Sequence, residues 1–160
     1  KLGSDLWDTI WEAGIEFKIS PGCPNLIERI EGGLLSYGNE FTRENNPLEI
    51  GLGKFCSLDG SIDYIGRGAL EKIASKGATK KIRGIIFEGD KCPTCSVPWS
   101  VMVGNERIGQ ITSAIWSPRL NKNVGLSLID RKYWSPQQSV EVHCQDNTIR
   151  SGEISRLPFS

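Results

Sequence analysis

Lys81-Ile82-Arg83-Gly84-Ile85-Ile86-Phe87 marks a change of character along this chain of 160 residues. Its apolar side chains are β-branched or aromatic and crowd into one short run, as a strand laid against a core requires. Toward the C-terminus similar runs follow at Trp99–Val103, Arg107–Trp116, Val124–Asp130, Ser139–Cys144 and Thr148–Ser155, separated by Gly, Asn, Asp and Pro. Asp146-Asn147 joins two of them tightly and reads as a hairpin turn, and Gly104-Asn105 reads as another. Six short strands with tight connections predict a small closed or sandwiched sheet, an arrangement that removes exposed edges.

Toward the N-terminus the periodicity is helical instead. Ser4 and Asp5 make a helix start, and Leu6, Trp7, Ile10 and Trp11 recur as one apolar stripe. They predict a helix from Leu6 to Ala13 that docks by its tryptophans, while Trp99 and Trp134 read as core or interface aromatics. Pro24 suits the first position of a second helix running to Glu31, which the Gly32-Gly33 pair ends. Leu34 to Tyr37 then leaves as an extended stretch. A third helix, Arg67 to Lys76, carries Leu70 and Ile73 and stops at Gly77, a residue suited to a left-handed cap. The expected organisation is therefore a mixed segment over residues 1–77 followed by an all-β module over residues 78–160.

Nineteen basic residues balance nineteen acidic ones, so no global field draws the chain to nucleic acid or to an anionic membrane. The longest apolar runs fall far short of the roughly 20 residues that span a bilayer. Five cysteines, Cys23, Cys56, Cys92, Cys95 and Cys144, form no regular framework, which predicts reduced thiols in a cytoplasmic setting. Cys92-Pro93-Thr94-Cys95 has the spacing of a metal or redox pair but lacks the further ligands of a zinc site, so it reads as a plain loop pair and no metal is expected. His143 is the only histidine and no nucleophile motif surrounds it, which argues against a catalytic triad. Gly32-Gly33 and Gly51-Leu52-Gly53 lack the Lys-Ser/Thr ending of a phosphate loop.

The residues that carry chemistry concentrate in Cys23-Pro24-Asn25-Leu26-Ile27-Glu28-Arg29-Ile30-Glu31-Gly32-Gly33-Leu34-Leu35-Ser36-Tyr37-Gly38-Asn39-Glu40. A guanidinium such as Arg29 can stack on an aromatic ring and also bond a carboxylate. Read locally, Arg29 could equally be a helix arginine paired with Glu28 or Glu31. Tyr37 offers an apolar wall with one directional hydroxyl, and Gly38 beside it permits close approach. Glu31 and Glu40 read as a capping group and a fold-stabilising acceptor. Ile111-Thr112-Ser113-Ala114-Ile115-Trp116-Ser117-Pro118 ends a strand in hydroxyls and an aromatic, and reads as packing between the two parts of the chain or as an edge of a ligand cleft.

This run, with Asn46-Pro47-Leu48-Glu49 and Gly51-Leu52-Gly53-Lys54 after it, resembles the folate-dependent aminomethyltransferases, the glycine-cleavage T-protein and its relatives. Within that family the wording is most similar to the dimethylsulfoniopropionate demethylases. Arg29-Ile30-Glu31-Gly32-Gly33 matches a family motif that places an arginine near the folate. Tyr37 falls on the tyrosine of another motif, where Asn39 stands in place of a frequent histidine. Ile111–Pro118 resembles a barrel-domain motif, with Ala114 replacing a glycine.

The resemblance implies an α+β fold: the C-terminal part of the folate-binding region, then a six-stranded antiparallel β-barrel domain. It also implies that these residues are the C-terminal half of an enzyme that transfers a methyl group to tetrahydrofolate as co-substrate. Arg29, Tyr37 and Trp116 are its expected cofactor-binding residues, and no catalytic group is assigned. The implied partners are folate, a small sulfonium and the first half of the same protein, with a homodimer as an option. Two other readings stay open: an aminomethyltransferase of glycine cleavage, and a non-enzymatic interaction module. The folate-binding iron–sulfur repair proteins fit poorly, because Ser36–Glu40 lacks their cysteine.

Overall fold

The computed structural model describes residues 2–22 and 25–159; Cys23 and Pro24, and with them the expected proline start of the second helix, lie outside the described residues. Helices α1 (Leu2–Gly14), α2 (Leu26–Glu31) and α3 (Arg67–Lys76) precede six strands. These are β1 (Lys80–Phe87), β2 (Trp99–Val103), β3 (Glu106–Ser117), β4 (Lys122–Asp130), β5 (Ser139–His143) and β6 (Ile149–Ser155). The strands close into a barrel in the order β1-β4-β3-β2-β5-β6, and β6 returns to β1 through Gly84↔Ser155 to Phe87↔Gly152. Every pairing is antiparallel. Closure leaves no free strand edge, so a sheet this small keeps its backbone groups paired.

Alternation along each strand separates two cores. Ile85, Phe87, Trp99, Val101, Ile108, Ile111, Ala114, Ile129, Val140, Val142 and Ile154 point inward and fill the barrel, with the Phe87 and Trp99 rings edge to face at 6.2 Å. The opposite face of β4 presents Val124 and Leu126 outward, where they join Ile30 of α2 and Phe159 in a second core on the barrel wall. Gly84 makes this second core possible: a Cβ there would lie 2.5 Å from the Phe159 ring. Gly33, at φ +67°, likewise lets the chain leaving α2 turn closely against Leu157. Both hairpins fall where the sequence predicts them, with Gly104 at φ +57° and Asn147 at φ +63° in the left-handed region that short turns need.

α1 departs from expectation. It begins at Leu2, earlier than its start signal, and its tryptophans do not dock: Trp7 and Trp11 stack on each other at 6.1 Å and remain 55% and 38% exposed. Leu6, Ile10, Ile15 and Phe17 are exposed with them. The helical stripe is real, but among the described residues no matching apolar surface covers it. Leu34 to Tyr37 forms no ladder among the described residues; its β-type pairing is a single bridge from Tyr37 to Phe41. No helix among the described residues is long and apolar enough to cross a membrane.

Candidate functional site

α2 is only six residues long and would not persist alone, yet both ends are fastened. Asn25 accepts from the Glu28 N–H at 2.9 Å while the Glu28 carboxylate accepts from the Asn25 N–H at 3.3 Å, a reciprocal cap. Buried Ile30 pins the helix to the barrel wall. That fixes where Arg29, in the last turn, can reach.

Arg29 reaches across to the barrel. Its Nη1 donates to the Leu34 carbonyl at 3.0 Å and to Glu40 Oε2 at 3.0 Å, and its Nη2 donates to Ser113 Oγ at 2.6 Å. Its ion partner is thus Glu40, and neither Glu28 nor Glu31. Glu40 is 4% exposed and collects donors on both oxygens. The Ser36 N–H reaches Oε2 at 2.6 Å, and the Asn39 amide reaches Oε1 at 2.9 Å. The Ser113 hydroxyl also donates to Oε1, with Thr112 at 3.4 Å. A carboxylate with this many donors is an anchor, as the sequence reading of Glu40 anticipates.

Ser113 enters this network because β3 carries a bulge. Ile111 pairs with Ser127 but Ser113 pairs with Leu126, so Thr112 is the extra residue. Without it Ser113 would follow Ile111 into the barrel; with it the hydroxyl faces α2 and Ala114 takes the inward position. The out-of-phase apolar residues Ile111, Ala114 and Ile115 carry the trace of this shift in the sequence, which a reading by motif passes over. A second polar node sits one turn away. Glu31 accepts from Ser117 Oγ at 2.5 Å and from Arg119 Nε at 2.7 Å, while Arg119 Nη2 also holds the Phe159 carbonyl at 3.0 Å. The Ser117 hydroxyl, followed by the Arg119 contact, holds the Glu31 carboxyl below its ordinary range. Glu31 therefore ties helix to barrel rather than capping α2, and Arg119 is a residue that the sequence reading missed.

Tyr37 stands on the loop that Glu40 anchors. It is 63% exposed, with its ring edge-on to Phe41 at 5.6 Å. Arg29 and Tyr37 thus share one small unit, the first as its internal clamp and the second as its exposed aromatic. Trp116 does not join them. It lines a separate groove of about 840 Å³ together with Lys122, Glu141 and Glu153, and Lys91 Nζ lies 5.8 Å from its ring centre. The bulge accounts for the separation: past Thr112 it is Ser113, Ile115 and Ser117 that meet α2 and its surroundings, while Trp116 falls on the other alternation. Cys92 and Cys95 lie in the loop between β1 and β2, packed against the barrel core as free thiols that burial pushes up to about 11 and about 12. Among the described residues no group of three or more His, Cys, Asp or Glu is placed to hold a metal ion.

A mixed helical segment clamped to the outer wall of a closed six-stranded antiparallel barrel defines the architecture. The family description "Glycine cleavage T-protein C-terminal barrel domain" matches residues 80–160, and "GCVT N-terminal domain" matches residues 1–60. The chain belongs to the glycine cleavage T-protein family. It is 42% identical over 156 residues to dimethylsulfoniopropionate demethylase from Ruegeria pomeroyi, covering 95% of this chain and 42% of that protein. An aminomethyltransferase from Caldanaerobacter subterraneus is 36% identical over 149 residues, covering 91% of this chain and 39% of that protein. The chain therefore spans less than half the length of these curated relatives. The crystal structure of glycine cleavage system aminomethyltransferase T from Bartonella henselae shares the fold, with a TM-score of 0.71 at 18% identity over 82% of this chain and 37% of that one.

Proposed function

We propose that these residues form part of a tetrahydrofolate-dependent methyltransferase that demethylates dimethylsulfoniopropionate, with a cytoplasmic location. The observation that supports this reading is the 42% identity to a dimethylsulfoniopropionate demethylase, against 36% and 34% for aminomethyltransferases. In the proposed reaction the methyl–sulfur bond breaks with its electron pair left on sulfur, a bond from the methyl carbon to N5 of tetrahydrofolate forms and N5 gives up its proton, leaving a thioether carboxylate. A sulfonium is already an activated leaving group, so the protein's work is to align two reactants and exclude water.

The contribution of this chain would be a pre-shaped wall. Tyr37 is the exposed aromatic on which an apolar ligand face can rest. Arg29 is a positioning residue that locks the Tyr37 loop to β3 through Glu40 and Ser113, with two of its five N–H groups uncommitted and available to an acceptor. The bare apolar face of α1 fits the same picture, since its cover would come from the rest of the enzyme.

The test is product analysis with the complete protein. Dimethylsulfoniopropionate and tetrahydrofolate should yield the methylthio acid and 5-methyltetrahydrofolate in equal amounts. Ammonia release only from an aminomethylated lipoyl protein would instead make it an aminomethyltransferase, the reading that the 36% relative supports.

A further inference from the structure

Within the network that anchors the Tyr37 loop, the Asn39 side chain is only half used. Its Nδ2 donates to Glu40 Oε1 at 2.9 Å and to Ser113 Oγ at 2.7 Å, which commits both amide hydrogens. A carboxylate paired with a guanidinium only accepts, so the amide must turn its NH2 group toward Glu40, and Oδ1 is the atom left over. Among the described residues nothing donates to Oδ1, and Asn39 is exposed. The oxygen is therefore an accessible acceptor held in one orientation.

Arg29 is left half used in a complementary way. Its Nη1 gives both hydrogens, to the Leu34 carbonyl and to Glu40, and its Nη2 gives one to Ser113. The Nε–H and the second Nη2–H remain as donors on a side chain that is 20% exposed. Arg29 Nη2 and Asn39 Nδ2 meet at the same Ser113 hydroxyl, at 2.6 and 2.7 Å, so the spare donors and the spare acceptor stand side by side. Glu40 already balances the Arg29 charge, so the pair offers hydrogen bonds without a net charge. That suits a neutral group presenting a carbonyl and an N–H together, whereas a carboxylate has no hydrogen for Oδ1. The turn that carries Asn39 is closed by the Ser36 carbonyl, which accepts from the Asn39 and Glu40 N–H groups at 3.2 and 3.1 Å, so the acceptor is ordered before any ligand arrives. Space for a ligand is present too: a Cβ on neighbouring Gly38, at φ +86°, would meet nothing within 4 Å.

We infer that Asn39 is a recognition residue: its Oδ1 accepts from the N–H of an amide or lactam group of the bound ligand, while the free N–H groups of Arg29 receive the neighbouring carbonyl. This rests on the folate reading above and extends it, since tetrahydrofolate carries both kinds of group, a lactam in its pterin ring and an amide joining benzoyl to glutamate. Two measurements on the complete protein test it: tetrahydrofolate affinity by calorimetry, and the side-chain amide resonances of Asn39 with and without that ligand.

Asn39→Ala is expected to raise the Kd about three- to tenfold, the loss of one hydrogen bond. Saturation should also move the Asn39 NH2 resonances of the parent, because a bond to the amide oxygen polarises its own N–H groups. Tetrahydropteroate, which lacks the glutamyl amide, separates the two sources: a penalty that disappears with it assigns the amide, and one that persists together with the resonance shift assigns the lactam. Unmoved Asn39 resonances at saturation, or an unchanged Kd in Asn39→Ala, would overturn the role of Asn39 and leave the methyl-transfer reading standing. A parent protein that does not bind tetrahydrofolate would overturn both. The resonance measurement needs the parent alone, so it decides the matter even where Asn39→Ala loses stability.

Discussion

Ser113 is a single hydroxyl with three partners: it accepts from Arg29 and Asn39 and donates to Glu40. Removing one member of such a network strands the others, so the costs differ by what is left behind. Glu40→Ala leaves a part-buried guanidinium without its anion and should lower unfolding free energy by about 3 kcal/mol in a denaturant titration. Ser113→Ala, which leaves neutral or still-paired groups, should cost about 1–2 kcal/mol. Arg29→Ala is expected to destabilise the chain as well as impair folate use, because the same side chain holds Leu34, Glu40 and Ser113. Tyr37→Ala separates the two effects: at an exposed ring it should leave unfolding unchanged and, in the complete enzyme, raise the folate KM. An unchanged KM would take Tyr37 out of the ligand wall.

Glu31 gives the chain a pH dependence of definite sign. Its folded-state pKa is depressed from the ordinary 4.5 by the Ser117 hydroxyl and Arg119. Its contribution is therefore complete above that ordinary value and is lost as pH falls through the folded one. Stability measured between neutral pH and pH 3 should fall less steeply for Glu31→Gln than for the parent. The loop thiols behave in the opposite sense: burial raises Cys92 to about 11 and Cys95 to about 12. At pH 8 only roughly one Cys92 in a thousand would be thiolate, so iodoacetamide should alkylate both at least tenfold more slowly than free cysteine.

At the scale of elements, α1 and β3 teach opposite lessons. The stripe of α1 follows from spacing alone, because residues three and four apart share a face whatever surrounds them. What the stripe meets is a separate matter, and here Trp7 and Trp11 meet mainly each other. Trp7→Gln with Trp11→Gln should leave the chain's stability within about 0.5 kcal/mol, since no core is lost. The same pair should reduce self-association and dye binding measured by light scattering and fluorescence. In β3 the boundaries are close to those the residue pattern predicts, yet one bulged residue at Thr112 decides which hydroxyls face α2. Alternation could not place Ser113 and Trp116 correctly, because a one-residue shift exchanges the two faces beyond it.

For the molecule as a whole, the second core couples the helical segment to the barrel. Ile30 is fully buried and Ile30→Ala should cost about 2–5 kcal/mol, with loss of hydrogen-exchange protection in α2 as well as at Val124 and Leu126. A change confined to α2 would show that the helix and the wall open independently.

The order of helices and strands, both tight hairpins and the neutral charge balance follow from the chain's own residues, because propensity, turn chemistry and periodicity act over a few positions. The pairing of Arg29 with Glu40 across to Ser113 and the parting of Trp116 from that cluster were decided only by the tertiary structure. Each joins residues distant along the chain, where a bulge or a close approach at a glycine sets which side chains meet, and no local rule reaches that far.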